Sequence, residues 1–253
     1  ERDRGWIQNW ADGDRVIWWQ DEFAAALSPE EQRAAEHRQR MAARERALRA
    51  DRAAIEAGQM IRAAQVLIPR PSMPWKPGRP AQDAIEAHPY LVAKGFALEP
   101  CLVLAGDLLV PMFDCVGYGL IGVQRIKPAG DKKFLPGQRA KGAVHRIGDG
   151  KQREIWLCEG FATGLSLRAA LARLYRHADV LVCFSAGNLV HVAQRGIGTH
   201  VAADNDASAA GETAARETGL PYILPARIGR DLNDVHTEDG LEAVVEIVQN
   251  ANK

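Results

Sequence analysis

The chain has 253 residues, 47% hydrophobic, 25% charged and 6% aromatic, which suits one large domain or a small domain joined to a compact catalytic one. Its 23 Gly and 13 Pro exclude collagen-like and low-complexity classes, and no apolar run approaches the roughly 20 residues of a membrane-spanning helix. The net charge of zero conceals a polarity: residues 124–153 carry nine Lys or Arg against two acids, whereas 200–250 carry ten acids against three Arg. A basic strip beside an acidic cluster fits an enzyme that holds a phosphate backbone together with divalent metal; the plainer reading is two solvated faces. The N-terminus lacks the layout of a signal peptide and an initiator Met, so the expectation is a cytoplasmic piece of a longer protein. Cys101, Cys115, Cys158 and Cys183 are too scattered for zinc ligation or a disulfide framework, and reduced, mostly buried thiols are expected.

Residues 1–27 read as a Trp-rich β segment, two short strands around Asp12-Gly13. Four of the six Trp fall here, better suited to packing than to base stacking. Ser28-Pro29-Glu30-Glu31 then opens a helix with Ser28 as N-cap and Glu31 at the capping-box position. It is expected to run over 28–68, to about Leu67, as a charged spacer bridging solvent. Five Pro between Pro69 and Pro80 mark a linker over 69–80. A small mixed α+β subdomain follows over 81–150, with strand-like LVLAGDLLVPMFD and YGLIGVQRI joined near Cys115–Gly117.

From residue 151 onward the pattern changes to strand–helix alternation. The apolar runs EIWLCEG, DVLVCFSAG, THVAADND and PYILPARI are each followed by a helical stretch, the last starting near Thr237. Such units predict an α/β fold, a parallel sheet with helices on both faces over 151–253. Ligands of such sheets bind at the carboxyl ends of strands, which selects Glu159, Ser185–Asn188, Asp204 and Asp206.

Three carboxylates in one cleft repel and raise one another's pKa. Bound Mg²⁺ or Mn²⁺ removes that cost, and hard oxygen ligands prefer such ions. Glu159, Asp204 and Asp206 are therefore the candidate catalytic and metal-binding acids for phosphoryl or nucleotidyl transfer. Asp231 and Asp234, after the fourth strand, are further metal candidates; by residue type Asn233 or Asp234 equally suits the cap of the next helix. No phosphate-binding G-x-x-x-x-G-K-[ST] loop and no G-x-G-x-x-G turn occurs. Cys158 precedes Glu159 and should point the opposite way, into the core, and His88 before Pro89 reads as a structural hydrogen-bonder.

WLCEGFATGLSL, CFSAGNLVHVA, VAADNDASAAGETAA and DLNDVH resemble the motif series of the Toprim fold, which primases, topoisomerases and some nucleases share. With His88–Gly95, the Val110-to-Ile126 strand pair and the Lys133–Gly142 loop upstream, the chain is most similar to primases of phages and mobile elements over roughly residues 81–250. The resemblance implies that Glu159 serves acid–base or metal roles and that Asp204 and Asp206 are metal ligands. It implies that Arg125, Lys132, Lys133, Arg139 and Lys141 face template and incoming nucleotide, with Ser185, Gly187 and Asn188 bordering the site. It further implies DNA-directed RNA polymerase activity making short RNA primers on single-stranded DNA from nucleoside triphosphates, in phage or plasmid replication. The implied partners are a replicative helicase or an upstream zinc-binding module, with no membrane. The zinc-binding cysteine set usual in bacterial-type primases is absent from this chain, and the Asp231/Asp234 spacing departs from theirs. The rivals are a Toprim-type metal-dependent nuclease and a non-catalytic replication adaptor.

Overall fold

The computed structural model describes residues 4–8, 16–20, 28–69 and 86–250. Strands β1 (Arg4–Gln8) and β2 (Val16–Gln20) pair antiparallel with Trp6 opposite Trp18; the Asp12-Gly13 turn and the Trp side chains lie outside the described residues, as does most of the Pro-rich linker.

Helix α1 (Pro29–Ala63) begins as its residues dictate: the Ser28 hydroxyl accepts from the Glu31 N–H, and the Glu31 carboxylate accepts from the Ser28 N–H. It ends short of Leu67. Ala64 turns extended, and Gln65–Leu67 becomes strand β3, because Val66 and its neighbours gain ladder hydrogen bonds against Cys101–Val103. Nor does the whole helix bridge solvent. Ala53 and Ala57 are buried in one cluster with Leu109, Val123 and Leu135; their short side chains let the last turns lie close on the sheet, while most residues before Ala53 are exposed.

After the short helix α2 (Pro89–Ala93), the stretch expected as one strand is a hairpin, β4 (Cys101–Leu104) and β5 (Asp107–Asp114). Ala105 and Gly106 both have positive φ, 50° and 83°, the geometry of a two-residue turn whose twist matches its strands. Strand β5 pairs along one edge with β6 (Leu120–Ile126), which carries β7 (Lys132–Phe134) beyond it. The other edge takes β4 near its start and β8 (Ala143–Ile147) near its end.

The second half is the expected α/β alternation: β9 (Glu154–Cys158), α3 (Phe161–Arg173), β10 (Ala178–Val182), α4 (Ala186–Ala193), β11 (His200–Ala202), α5 (Ala210–Thr218), β12 (Tyr222–Ile223), α6 (Leu232–Asp239) and α7 (Leu241–Asn250). The final helical stretch begins at Leu232 rather than near Thr237, since Asp231 and Asp234 form a reciprocal capping box there. The strands run in the order β12-β11-β9-β10, all parallel, and β10 joins β8 antiparallel, so one ten-stranded sheet unites both halves among the described residues.

Alternation sorts the two faces. Trp156, Cys158, Val180, Val182 and Ala202 pack with Leu165, Leu232 and Val244 of α3, α6 and α7. Leu157, Leu181 and Val201 pack with Leu189, Val192 and Ala215 of α4 and α5. Gly164 is required where α3 meets the sheet: a Cβ there would stand 3.0 Å from both Ile147 and Val182 side chains. Cys158 does point into the core, where burial drives its thiol well above the ordinary range. His88 is buried and its Nε2 donates to the Gly106 carbonyl at 3.0 Å.

Candidate metal and nucleotide site

The acids come together because β9 and β11 are neighbours, with Ala202 in register with Cys158. Glu159 therefore leaves the sheet beside Ala203-Asp204, at the carboxyl ends of the parallel strands. Glu159 also sits under the start of α4, where its carboxylate accepts the Ala186 N–H.

Burial is the main force raising the Glu159 carboxyl; Lys132 opposes it, and Asp206 and Asp231 add to it. Asp204 is pushed up to about 8, by burial first, then by Glu159 and Asp231, against the pull of Lys132. Its Oδ1 is buried with no hydrogen-bond partner. Asp206 goes the other way. Burial alone would raise it, but the Ser208 hydroxyl and the N–H groups of Gly211, Ala210 and Ser208 outweigh that and hold it below the usual carboxylate range.

Asp231 is the N-cap of α6. Its Oδ1 accepts the Asp234 N–H at 2.8 Å and its Oδ2 accepts the Thr163 hydroxyl at 3.1 Å. It stands within electrostatic reach of Glu159 and Asp204. Asp234 completes the capping box and faces Lys94 at 3.9 Å, which accounts for it as a helix-capping and ion-pairing residue.

Chemically the set fits a hard divalent cation. The donors are hard carboxylate oxygens, the buried Asp204 oxygen is unsatisfied, and burial, with the charges of Glu159 and Asp231 added, raises the Asp204 carboxyl. As the side chains stand, no three His, Cys, Asp or Glu among the described residues are arranged to hold an ion. Asp206 and Asp231 already accept backbone N–H bonds, although a carboxylate oxygen retains a second lone pair for a cation.

The basic residues divide. Lys132, on β7, is the one whose charge acts on both Glu159 and Asp204. Lys133 is exposed beside it. Lys141 and Ser185 line a cleft with Gly187 and His191. Arg125 and Arg139, by contrast, are committed to the protein: Arg125 makes two bonds to Asp107 Oδ2, at 3.0 and 2.6 Å, and Arg139 pairs with Asp114. Asn188, expected to border the site, is buried and makes three bonds, accepting the Gly142 N–H and donating to the Ala143 and Cys183 carbonyls, so it ties the Lys141-Gly142 loop to the end of β10. Ser185 caps α4 through the Asn188 N–H.

Two residues of the site escaped the sequence reading. Thr163 orients Asp231 from the first turn of α3, and its fixed spacing from Glu159 was the available signal. Gly211 is where the start of α5 nests on Asp204: an added Cβ would lie 2.2 Å from the Asp204 carbonyl oxygen. Its signal was a Gly five residues after Asp206 at a helix start.

Residues 154–242 match the family described as Toprim domain. Comparison with curated protein sequences finds no match. Among solved structures, the chain is similar to one in a bacteriophage T7 assembly of lagging-strand DNA polymerase with primase domains bound to an RNA/DNA hybrid and dTTP. The identity there is 16%, with 65% of this chain and 91% of that one covered and a TM-score of 0.47. The primase fragment of the T7 primase-helicase is similar at 14% identity, 63% and 69% coverage and TM-score 0.43. A DNA primase domain from Pseudomonas aeruginosa follows at 19%, 59% and 53%, TM-score 0.35. The β9–β12 sheet, the strand-end glutamate and the D-x-D loop all fall within the stretch 154–242 that matches the Toprim domain family.

Proposed function

We propose that the chain is the polymerase core of a DNA primase, joining nucleoside triphosphates into short RNA primers on single-stranded DNA in phage or plasmid replication. The observation that carries this reading is that Lys132, from the upstream antiparallel strands, lies within electrostatic reach of Glu159 and Asp204 at the carboxyl ends of the parallel strands. Either a nuclease or a polymerase needs cations for the nucleic-acid backbone; a polymerase needs a further cation beside the acids for the triphosphate, and Lys132 on β7 is the candidate.

The residues that would hold a Mg²⁺ or Mn²⁺ ion are Glu159, Asp204, Asp206 and Asp231. Bound there, the ion would neutralise charge developing on the leaving pyrophosphate and acidify the attacking hydroxyl. In the reaction, the 3′-oxygen of one nucleotide attacks the α-phosphorus of a second, and the bond to pyrophosphate breaks. Glu159, its carboxyl raised by burial, is the candidate base for the proton of that hydroxyl. Lys132 offers an ammonium to the triphosphate, and Lys133 and Lys141 hold backbone phosphates, so binding weakens steeply with salt.

The test is primer synthesis by the purified chain on mixed-sequence single-stranded DNA with four labelled ribonucleotides and Mg²⁺ or Mn²⁺. Short labelled products from wild type and none from Glu159→Gln are expected. Cleavage of the DNA without synthesis would replace the primase by a nuclease.

A further inference from the structure

The acids of the site come from two separate loops. Asp204 and Asp206 follow β11, and Asp231 ends the segment after β12. Between the first two stands Asn205, partly buried, to which the catalytic reading gives no part. Its backbone N–H donates to the Arg230 carbonyl at 3.0 Å, and its own carbonyl accepts the Gly229 N–H at 2.5 Å. Asn205 and Arg230 also form an isolated antiparallel bridge. The side chain adds a third tie, Nδ2 donating to the Pro225 carbonyl at 2.8 Å. A carbonyl only accepts, so the amide nitrogen must face it. An aspartate at this position would have no donor to offer.

Arg230 extends the linkage. Its guanidinium, only 17% exposed, donates to Asp239 at 2.8 Å and pairs with Glu238, both at the end of α6. The helix that Asp231 caps is thus bound at both ends to the segment Asn205 grips. Moving the 225–230 segment away from the D-x-D loop would break the Asn205 bonds and carry Asp231 with it.

We infer that Asn205 is a positioning residue that keeps Asp231 in register with Asp204 and Asp206, so that cation ligands from two loops act as one set. The inference rests on the reading of these acids as a divalent-cation site.

The test is Mn²⁺ binding to the full chain, read from the electron paramagnetic resonance of free Mn²⁺, for wild type, Asn205→Ala, Asp231→Asn and the double variant. Asn205→Ala should weaken Mn²⁺ binding by roughly tenfold, the scale on which outer ligands tune metal affinity. Because Asn205 acts through Asp231, the double variant should bind no more weakly than Asp231→Asn alone. Hydrogen exchange of the Gly229 N–H should quicken in Asn205→Ala. Unchanged Mn²⁺ affinity in Asn205→Ala, or losses that add, would overturn the inference. A wild type that binds no Mn²⁺ while its Gly229 N–H stays protected would sink the cation-site reading and the inference with it, leaving the bridge as a fold element. Should Asn205→Ala fail to fold, Asn205→Leu removes the same donor at near-equal size and bears the same comparison.

Discussion

The antiparallel and parallel halves of the sheet treat charge in opposite ways. Across β4–β8, the arginines that make the sequence look basic are bonded to acids: Arg125 to Asp107, Arg139 to Asp114, and Arg146 to Asp179, whose side chain is fully buried. At the strand ends of β9 and β11 the charges are left in tension, with Asp204 unpartnered at Oδ1 and its carboxyl pushed up to about 8. One half places its charges to hold a shape; the other holds a surplus of one sign where a ligand can relieve it. A count of basic residues therefore overstates the charge left over from ion pairs, and in the proposed function the lysines, not the arginines, carry the binding surface.

The largest expected effect is at the site. Asp204→Asn should reduce primer synthesis to background while leaving the chain folded, because the substitution removes a charge the fold disfavours. The same variant tests the pH dependence. A carboxyl raised in the folded state contributes stability that is fully present below its unfolded value and lost as pH rises through the folded value. In the absence of divalent metal, the Tm of wild type relative to Asp204→Asn should fall between pH 4 and 8, the span from the ordinary 3.8 to about 8 for Asp204, and added Mn²⁺ should offset that fall. Parallel pH profiles of Tm in wild type and Asp204→Asn would contradict the tension assigned to the parallel half.

Next in size is Arg146→Ala, which strands Asp179 as a buried charge. Losing one partner of a buried pair costs about 3–5 kcal/mol, at roughly 2–4 °C of Tm for each kcal/mol in a chain of this size. Thermal denaturation reads it directly, and a loss under about 1 kcal/mol would show the pair to be an ordinary surface one.

The sharpest contrast is smaller. Lys132→Ala should weaken nucleotide and single-stranded DNA binding about tenfold, the scale of a charge-assisted contact, with Tm unchanged. Arg125→Ala should lower Tm slightly and leave binding and its salt slope intact. Fluorescence anisotropy at two salt concentrations distinguishes them; equal losses of binding in both would erase the division between lysines and arginines.

Smallest is truncation. Removing residues 1–47 should leave Tm within a few degrees of wild type, since the buried face of α1 begins near Ala53. Removing residues 1–68 takes away β3 and the cover over Leu109 and Val123, and should lower Tm visibly.

The sequence made the α/β half legible because each apolar run ends in a polar residue at the point where the chain leaves the sheet, so Glu159, Asp204 and Asp206 could be picked out one by one. It did not say that β9 and β11 are adjacent. Strand order depends on contacts between distant segments, and no local pattern encodes it. Arg125 and Lys132 look alike as letters; the cross-strand Asp107 that claims the arginine becomes visible only when β5 and β6 pair. Asn188 stood in the right motif for a site residue, yet its three bonds to Gly142, Ala143 and Cys183 make it a tie between loops. The sequence offered Asn233 or Asp234 as the cap of the last helical stretch, whereas Asp231 is the N-cap and Asp234 completes the box, a position that local residue type alone does not single out.

The seam between β8 and β10 has a mechanical consequence. Val180, Leu181 and Val182 are laddered to Ile147, Arg146 and His145, so a hydrogen-bonded sheet runs without a break from the antiparallel strands to the parallel ones. A sheet joined in this way has no hinge at the seam. On the proposed function, substrate would be gripped by loops and side chains moving over a rigid base, and the radius of gyration measured in solution should stay the same when nucleotide and Mn²⁺ are added.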